Sequence, residues 1–478
     1  MNYLSRKYIL RNSFTPLLAA MVLAGCAGLP HKDAAPQLDT AEAGQLVKTG
    51  TGNWPAAGWW KQFGDEQLDQ LIDAALAESP TMAVAQARIQ QASAEAGAVA
   101  ADGGAKLSAN AQVSRQLYSK NFIYPPPLAG SWDTSGILEL DFSYDFDFWG
   151  RNRNELKAAL GQRRAAEADA AAAASSLSAA VAKTYFQWQA INTHIATIQQ
   201  IQGERSKLVD LEKKRVRAGV TAGDTLHPLV ADAAAPHQTL TQLETQREEV
   251  RYQLQALVGG HHDLGQLAAK PLPPVTAGLP ADAHLDLLSR RPDVAAARDR
   301  VESSLSQVES ARAAFYPDFS ISAFLGLNSL SMGKLLHASS RDAGVTPALH
   351  LPLFDAGRLR ANLNINRADV TMAVAQYDQA VQTAVADVND AAVRLAGIER
   401  ERPSLQQQQD ARQHDLDSAA KRAKAGLTDQ REVVRDRLSV LALQDQELSR
   451  HAAALSAQID LIKALGGGYG TPEQNAQP

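Results

Sequence analysis

Few side chains among these 478 residues are placed to do chemistry, and Cys26 is the first of them. It is the only cysteine, so neither a disulfide framework nor a thiolate metal site can form, and the thiol needs another purpose. His261-His262 is an adjacent imidazole pair of the kind that can ligate a metal, but an isolated pair in a polar loop is ordinarily solvated. No HExxH, CxxC, GxSxG or Walker loop occurs, and the glycines at 466–470 follow a helical stretch instead of joining a strand to a helix. The chain therefore reads as a protein without catalytic chemistry, cofactor or metal. Nor is it a nucleic-acid binder. The formal charge of -5 becomes -8 once the three cations Arg6, Lys7 and Arg11 leave with the N-terminal segment, so no basic patch is available for phosphates.

Residues 1–25 read as an export signal, with those three cations as the n-region and an apolar stretch over 16–24 too short to span a bilayer. The signal closes on Leu23-Ala24-Gly25-Cys26, which resembles the lipobox of bacterial lipoproteins. That resemblance implies removal of 1–25, diacylation of the Cys26 sulfur and a lipid anchor. The alternative is an ordinary signal followed by an incidental thiol, and the small residues directly before Cys26 argue against it. Ala27 stands where an aspartate would imply inner-membrane retention, so the resemblance points to the outer membrane.

The elements that must position everything else come in two copies. At an offset of 212, Pro80, Ala83, Ala85, Arg88 and Ser108 meet Pro292, Ala295, Ala297, Arg300 and Ser320. At an offset of 207, Gly150 and Arg151 meet Gly357 and Arg358, Gly219 and Thr221 meet Gly426 and Thr428, and Gly259 meets Gly466. A period this long is duplication of a whole structural unit, since solenoid repeats run to roughly 20–50 residues. The division expected is 26–79 as an anchored N-terminal and equatorial segment, 80–283 as repeat 1, 284–466 as repeat 2, and 467–478 as a disordered tail.

Hydrophobic period then assigns the elements. Helices are expected over 80–103 and 292–316, each opening with proline in its first turn. Strands follow over 107–118, 136–148, 318–327 and 345–354. The second is the clearest: Leu138, Leu140, Phe142, Tyr144, Phe146 and Phe148 alternate with Glu139, Asp141, Ser143, Asp145 and Asp147. Strands of about 9–11 residues with one oily and one wet face are what a membrane barrel requires. Four strands cannot close a barrel, and open edges are not tolerated in lipid, so copies must pool their strands. The polar, turn-rich stretches 119–135 and 328–344 would be exterior loops. Beyond the strands, 151–218 and 358–425 read as helices of roughly 100 Å at about 1.5 Å per residue. Turns at Gly219 and Gly426 lead into return helices over 224–258 and 429–465. Pro228 and Pro236 predict a kink in the first return helix.

The sequence resembles the TolC-type outer-membrane efflux factors, in their lipoprotein branch. The resemblance runs over nearly the whole mature chain. It is carried by Trp59-Trp60, Phe63-Gly64-Asp65 and Leu68; by Tyr144-Asp145-Phe146-Asp147-Phe148-Trp149-Gly150-Arg151; by Arg290-Arg291-Pro292-Asp293-Val294 through Phe315-Tyr316-Pro317; and by Leu351-Pro352-Leu353-Phe354-Asp355-Ala356-Gly357-Arg358. It implies a predominantly α, mixed α and β fold. Three copies would share a twelve-stranded outer-membrane barrel, four strands each, continued by a periplasmic helical barrel with an equatorial belt. It also implies passive conduction for an inner-membrane transporter through a periplasmic adaptor.

Within that frame, Arg217, Gly219 and Thr221, with Lys424, Gly426 and Thr428, resemble the family's tip motif, where the adaptor docks. The same residues also serve as helix punctuation: basic last turns, glycine C-caps, and Asp224 or Asp429 capping the next helix, with Glu432 completing a capping box. Asp224 and Asp429 are candidate pore-constricting carboxylates. Phe146, Phe148, Trp149, Phe315, Tyr316 and Phe354 fall where strands meet helices and form either a membrane-interface girdle or core. Gly150-Arg151 and Gly357-Arg358 are read as structural strand-to-helix turns. A protein-secretion duct and a non-pore periplasmic coiled-coil scaffold are the alternatives to drug efflux. Repeated alternating strands argue against the scaffold.

Overall fold

A computed structural model describes residues 34–38, 52–276, 278–280, 287 and 289–470. The export segment, Cys26 and residues 471–478 lie outside the described residues.

Among the described residues, eleven principal elements follow in chain order. They are α1 (Glu66–Glu78), α2 (Pro80–Asp102), β1 (Lys106–Leu117), β2 (Trp132–Phe146), α3 (Arg151–Arg217) and α4 (Leu226–Leu257), then α5 (Pro292–Ala313), β3 (Asp318–Ser329), β4 (Arg341–His350), α6 (Arg358–Lys424) and α7 (Gln430–Ala464). The duplication is visible as helix, hairpin, 67-residue helix and return helix, written twice. All four strands form one antiparallel sheet in the order β1-β2-β3-β4. No helix among the described residues is long and apolar enough to cross a membrane.

β2 and β4 depart furthest from the expected strand bounds, and β2 ends at Phe146, which leaves Phe148 outside it. β2 begins at Trp132, because residues 132–135 continue the ladder with β1. β4 runs 341–350 where 345–354 was expected. Two 3₁₀ turns, Met332–Lys334 and Ala338–Ser340, shorten the loop before it, and Pro352 has no N–H to extend the ladder after it. Leu353 and Phe354 therefore lie outside the strand, and Phe354 is almost fully exposed.

The chain packs as two compact units, each built from both halves of the duplication. The first comprises Gln90–Ala165 and Arg298–Gln376 with the described residues 34–38. It holds the sheet and a small core of Val308, Ala311 and Leu363, against which Phe315 packs. Here α3 and α5 approach closely. A Cβ at Gly161 would press to 3.0 Å from Ser303, whose Oγ donates to the Ala158 carbonyl at 2.8 Å.

The second unit contains Ala166–Ala297 and Tyr377 onward. Its main core joins Trp59, Leu68 and Ile72 to Tyr185 and Phe186 of α3, Leu254 of α4 and Ile459 of α7. Asp65 caps α1 through the Gln67 N–H (3.1 Å) and also accepts from Tyr185 Oη and Lys270 Nζ, both at 2.6 Å. Burial opposes its charge, yet Lys270, Tyr185 and the Gln67 N–H outweigh that and hold its carboxyl below the usual range. The Arg-Arg-Pro-Asp motif is explained likewise. Buried Arg291 reaches Asp293 (2.6 Å), Asp387 (3.0 Å) and the Ala464 carbonyl (3.3 Å), tying the start of α5 and the end of α7 to the middle of α6. Tyr469 packs on Ala168, Ala295 and Ala296, so the tail expected from 467 is packed as far as its described residues go.

The first return helix is continuous over Leu226–Leu257 despite its prolines. Pro228 occupies the first turn of α4, where an N–H has no intrahelical partner to lose. Pro236 lies inside the helix and leaves the Asp232 carbonyl without its donor. Arg205 Nη1 of α3 donates to that carbonyl instead. Pro403 likewise stands within α6, a stretch expected to be uninterrupted. Pro236→Ala is expected to stabilise the hairpin by roughly 1–3 kcal/mol. Arg205→Ala should destabilise the wild type by about 1 kcal/mol and be near neutral beside Pro236→Ala. Urea unfolding followed by helical circular dichroism checks both.

Candidate functional site

The sheet register settles which side chains share a face. Directly paired residues lie on one side, so the row Leu107, Phe142, Ala323, Val345 and the row Ala109, Leu140, Leu325, Ala343 belong to one surface. Leu138, Tyr144, Phe146, Phe319, Ile321 and Leu349 extend it. Leu107, Leu140, Leu325, Val345 and Leu349 are all exposed, so this broad apolar face is uncovered in the single chain. The opposite face carries Ser108, Asn110, Gln112, Glu139, Asp141, Ser143, Asp145, Ser320, Ser322, Asp342 and Thr346. Ile137 and Phe324 depart from this pattern, and the Phe324 ring lies over Gly344. Among charged strand residues on the wet face, Asp133, Glu139, Asp141, Asp145, Asp318 and Asp342 stand against Lys106, which pairs with Asp102 at 3.3 Å. β1 and β4 are each paired on one side only, leaving both sheet edges open.

Where strands turn into helices, the carboxylates do the capping. Asp147 accepts from the N–H groups of Asn152 (3.2 Å) and Arg153 (2.9 Å); Asp355 accepts from Gly357 (3.0 Å) and Leu359 (2.7 Å). Gly150 and Gly357 precede Arg151 and Arg358 with φ of 79° and 88°. The aromatics expected together split into groups. Phe146 stacks on Phe148, which meets Phe319 edge-on; Trp149 stacks on Tyr316 and donates its Nε1 to the Pro317 carbonyl at 2.9 Å. Phe315 belongs to the helical core and Phe354 touches neither group.

At the far ends of α3 and α6 the two turns are built alike. Gly219 N–H donates to the Val216 carbonyl and Val220 N–H to Arg215; Gly426 donates to Ala423 and Leu427 to Arg422. These are Schellman caps, with both glycines left-handed at φ of 67° and 73°. Arg217 and Lys424 end the helices exposed, and Thr221 and Thr428 follow the turns. Beyond this the copies diverge. Asp429 caps α7 through the Arg431 N–H (3.0 Å), but Asp224 caps nothing: it lies exposed in a 3₁₀ turn, Gly223–Thr225. By the 207 offset the position matching Asp429 is Ala222, which has no oxygen to offer. The capping box does not form either, because Glu432 accepts from Thr428 Oγ1 and from Arg422 Nη2 (2.7 Å).

A carboxylate not anticipated from the sequence joins the two turns. The Glu212 side chain is 1% exposed; it accepts from Thr225 Oγ1 at 2.7 Å and from Arg431 Nη1 at 2.6 Å. Arg431 also binds Asp429 (2.9 Å), which accepts from Arg215 at 2.9 Å. The Thr225 hydroxyl foremost, with Arg431 contributing, holds the Glu212 carboxyl below its usual range; the Arg431 N–H and side chain do the same for Asp429. Glu212 was legible in one respect: it falls three and four residues after the buried pair Val209 and Leu208, an acid within an apolar stripe.

One constellation imitates a hydrolase. His194 Nδ1 lies 2.6 Å from Asp445 and its Nε2 3.3 Å from Ser449 Oγ. Ser449 sits inside α7 with its hydroxyl donating to the Asp445 carbonyl at 3.1 Å, and the neighbouring N–H groups serve the helix. With the hydroxyl and the local N–H groups committed to α7, the trio reads as helix packing. His262 pairs with Glu78 at 3.2 Å, and no group of three metal-ligating side chains occurs among the described residues.

Comparison with known proteins agrees with this geometry. Residues 71–260 and 285–467 match the family described as outer membrane efflux protein. The chain is 35% identical to the multidrug resistance outer membrane protein MdtQ of Escherichia coli O6:H1, over 96% of this chain and 99% of that one. It is 36% identical to the multidrug resistance outer membrane protein MdtP of Escherichia coli K12, over 94% of each. Among solved structures, the outer membrane protein VceC of Vibrio cholerae superposes with a TM-score of 0.78 at 30% identity, covering 87% of this chain and 100% of VceC. The outer-membrane channel OprN gives 0.79 at 26% identity, covering 92% and 98%.

Proposed function

The chain belongs to the outer membrane efflux protein family, and from that membership we propose that three copies pool their sheets into one barrel through which drugs or other small toxic compounds leave the cell. It is an outer-membrane channel, the exit duct of an efflux pump. The observation that carries the trimer reading is the four-stranded sheet with one uncovered apolar face and two open edges. Lipid has no hydrogen bonds to give an edge, so β4 of one copy must pair with β1 of the next.

In this reading the chain performs no reaction. The wet face lines the passage, a periplasmic adaptor docks on the turns around Arg217, Gly219 and Thr221 and around Lys424, Gly426 and Thr428, and an inner-membrane transporter supplies the energy. Asp429 is held within the charged network that joins the turns, which leaves exposed Asp224 as the freer of the two candidate constricting carboxylates. Cys26 carries the lipid anchor, and Phe146, Phe148, Trp149 and Tyr316 form the inner rim of the membrane band.

Planar-bilayer conductance of the purified protein, with its oligomeric mass taken from the same preparation, tests the proposal. A conducting trimer is expected, and in a salt gradient its reversal potential should favour cations, as the carboxylates of the wet face require. A monomer that never conducts overturns the barrel.

A further inference from the structure

Two guanidinium groups interrupt an otherwise uncharged surface. Among the strand residues of the apolar face, only Arg115 and Arg341 carry charge. Arg115 pairs with Thr134, and Arg341 with Leu327, which itself faces Leu138. Both arginines stand at the hairpin-loop ends of their strands, far from the helices: Arg115 two residues before β1 ends, Arg341 at the first residue of β4. Both are exposed, and neither guanidinium has an acidic partner among the described residues.

Their surroundings are amphipathic. Leu117 and Trp132, paired with each other on the same face, are exposed beside them. The β3–β4 loop leans onto this face as well: a Cβ on Gly136 would come within 2.7 Å of Met332 and 2.9 Å of Leu335. That loop leaves Lys334 and Leu336 exposed. Apolar side chains thus border cations near the hairpin-loop ends of the strands, the arrangement that an acyl chain with a phosphate head would complement. Arginine matches phosphate with two parallel N–H donors, and a cation at the edge of the apolar band is tolerated where one at its centre is not.

We propose that Arg115 and Arg341 bind the phosphate groups of an anionic outer-leaflet lipid whose acyl chains lie on the apolar face. Because β1 and β4 are the edge strands, the two arginines would flank the seam between neighbouring copies, so the lipid would bridge them. This rests on the barrel reading, and conductance of the same preparation tests that reading separately.

The test uses full-length protein in detergent and native mass spectrometry, with bis-phosphorylated lipid A and its dephosphorylated form as probes. Wild type should retain the phosphorylated lipid on the order of 30-fold better, about fivefold per cation. R115Q/R341Q should bring the preference close to unity, and R115K/R341K should keep most of it. Equal retention of both lipids by the wild type overturns the proposal, as does a preference that survives R115Q/R341Q. Displacement of the lipid by inorganic phosphate would also overturn it, marking a free-anion site. If R115Q/R341Q fails to assemble, the wild-type comparison of the two lipids decides alone.

Discussion

Leu140→Arg is expected to abolish assembly in the membrane, whereas Asp141→Arg, one residue along the same strand, is expected to leave it intact. Leu140 lies near the middle of β2, on the apolar face between Ala109 and Leu325. An arginine on the lipid side of a barrel at the bilayer midplane costs about 2–4 kcal/mol. In a trimer every copy bears it, so the assembly loses about 6–12 kcal/mol, comparable to the whole stability of a typical domain. Asp141 faces the wet side and accepts from Asn110 Nδ2 at 2.5 Å. Its replacement removes that bond, worth about 1 kcal/mol, and leaves the new cation in water. Heat-modifiable migration of the oligomer and conductance after reconstitution read the difference. Equal insertion of the two variants would mean that the apolar face does not meet lipid.

Glu212→Gln should loosen the turns and raise conductance at neutral pH, the second large effect. Arg431 bridges Glu212 on α3 and Asp429 at the head of α7, and Arg215 closes the circuit from α3 back to Asp429. Removing the Glu212 charge takes from Arg431 the carboxylate that ties it to α3. The pH dependence has a definite sign. The carboxyls of Glu212, Asp429 and Glu432 are all lowered in the folded chain. Their contribution is therefore fully present above the ordinary carboxylate range and is lost only as pH falls through the lowered values. Conductance of the wild type should stay flat from neutral to mildly acid solution and rise only in stronger acid. Glu212→Gln should show the raised level throughout. A wild-type rise near pH 6 would point instead to a histidine, and an unchanged Glu212→Gln channel would detach this network from the aperture.

What the sequence determined by itself was everything written in local spacing. The long helices, the Schellman glycines at 219 and 426, and the oily and wet faces of β2 each follow from residues within a few positions of one another. Period two and period 3.6 are geometric properties of the backbone, so a pattern at those spacings needs no knowledge of the fold. The duplication added a further check, since Gly150 and Gly357 take the same left-handed conformation.

The partnerships between distant side chains came from packing alone. Asp224 and Asp429 look equivalent on the page, yet only Asp429 caps a helix and meets Arg215, some 200 residues away in the chain. Phe315 and Phe354 looked like companions, and one is core while the other is exposed. Pro236 was legible as an irregularity, but not that the carbonyl it strands is taken by Arg205 on a different helix. Such pairings depend on the axial register of helices packed side by side. A shift of one turn moves each side chain about 5.4 Å along the axis and exchanges its partners without altering the local pattern of any helix.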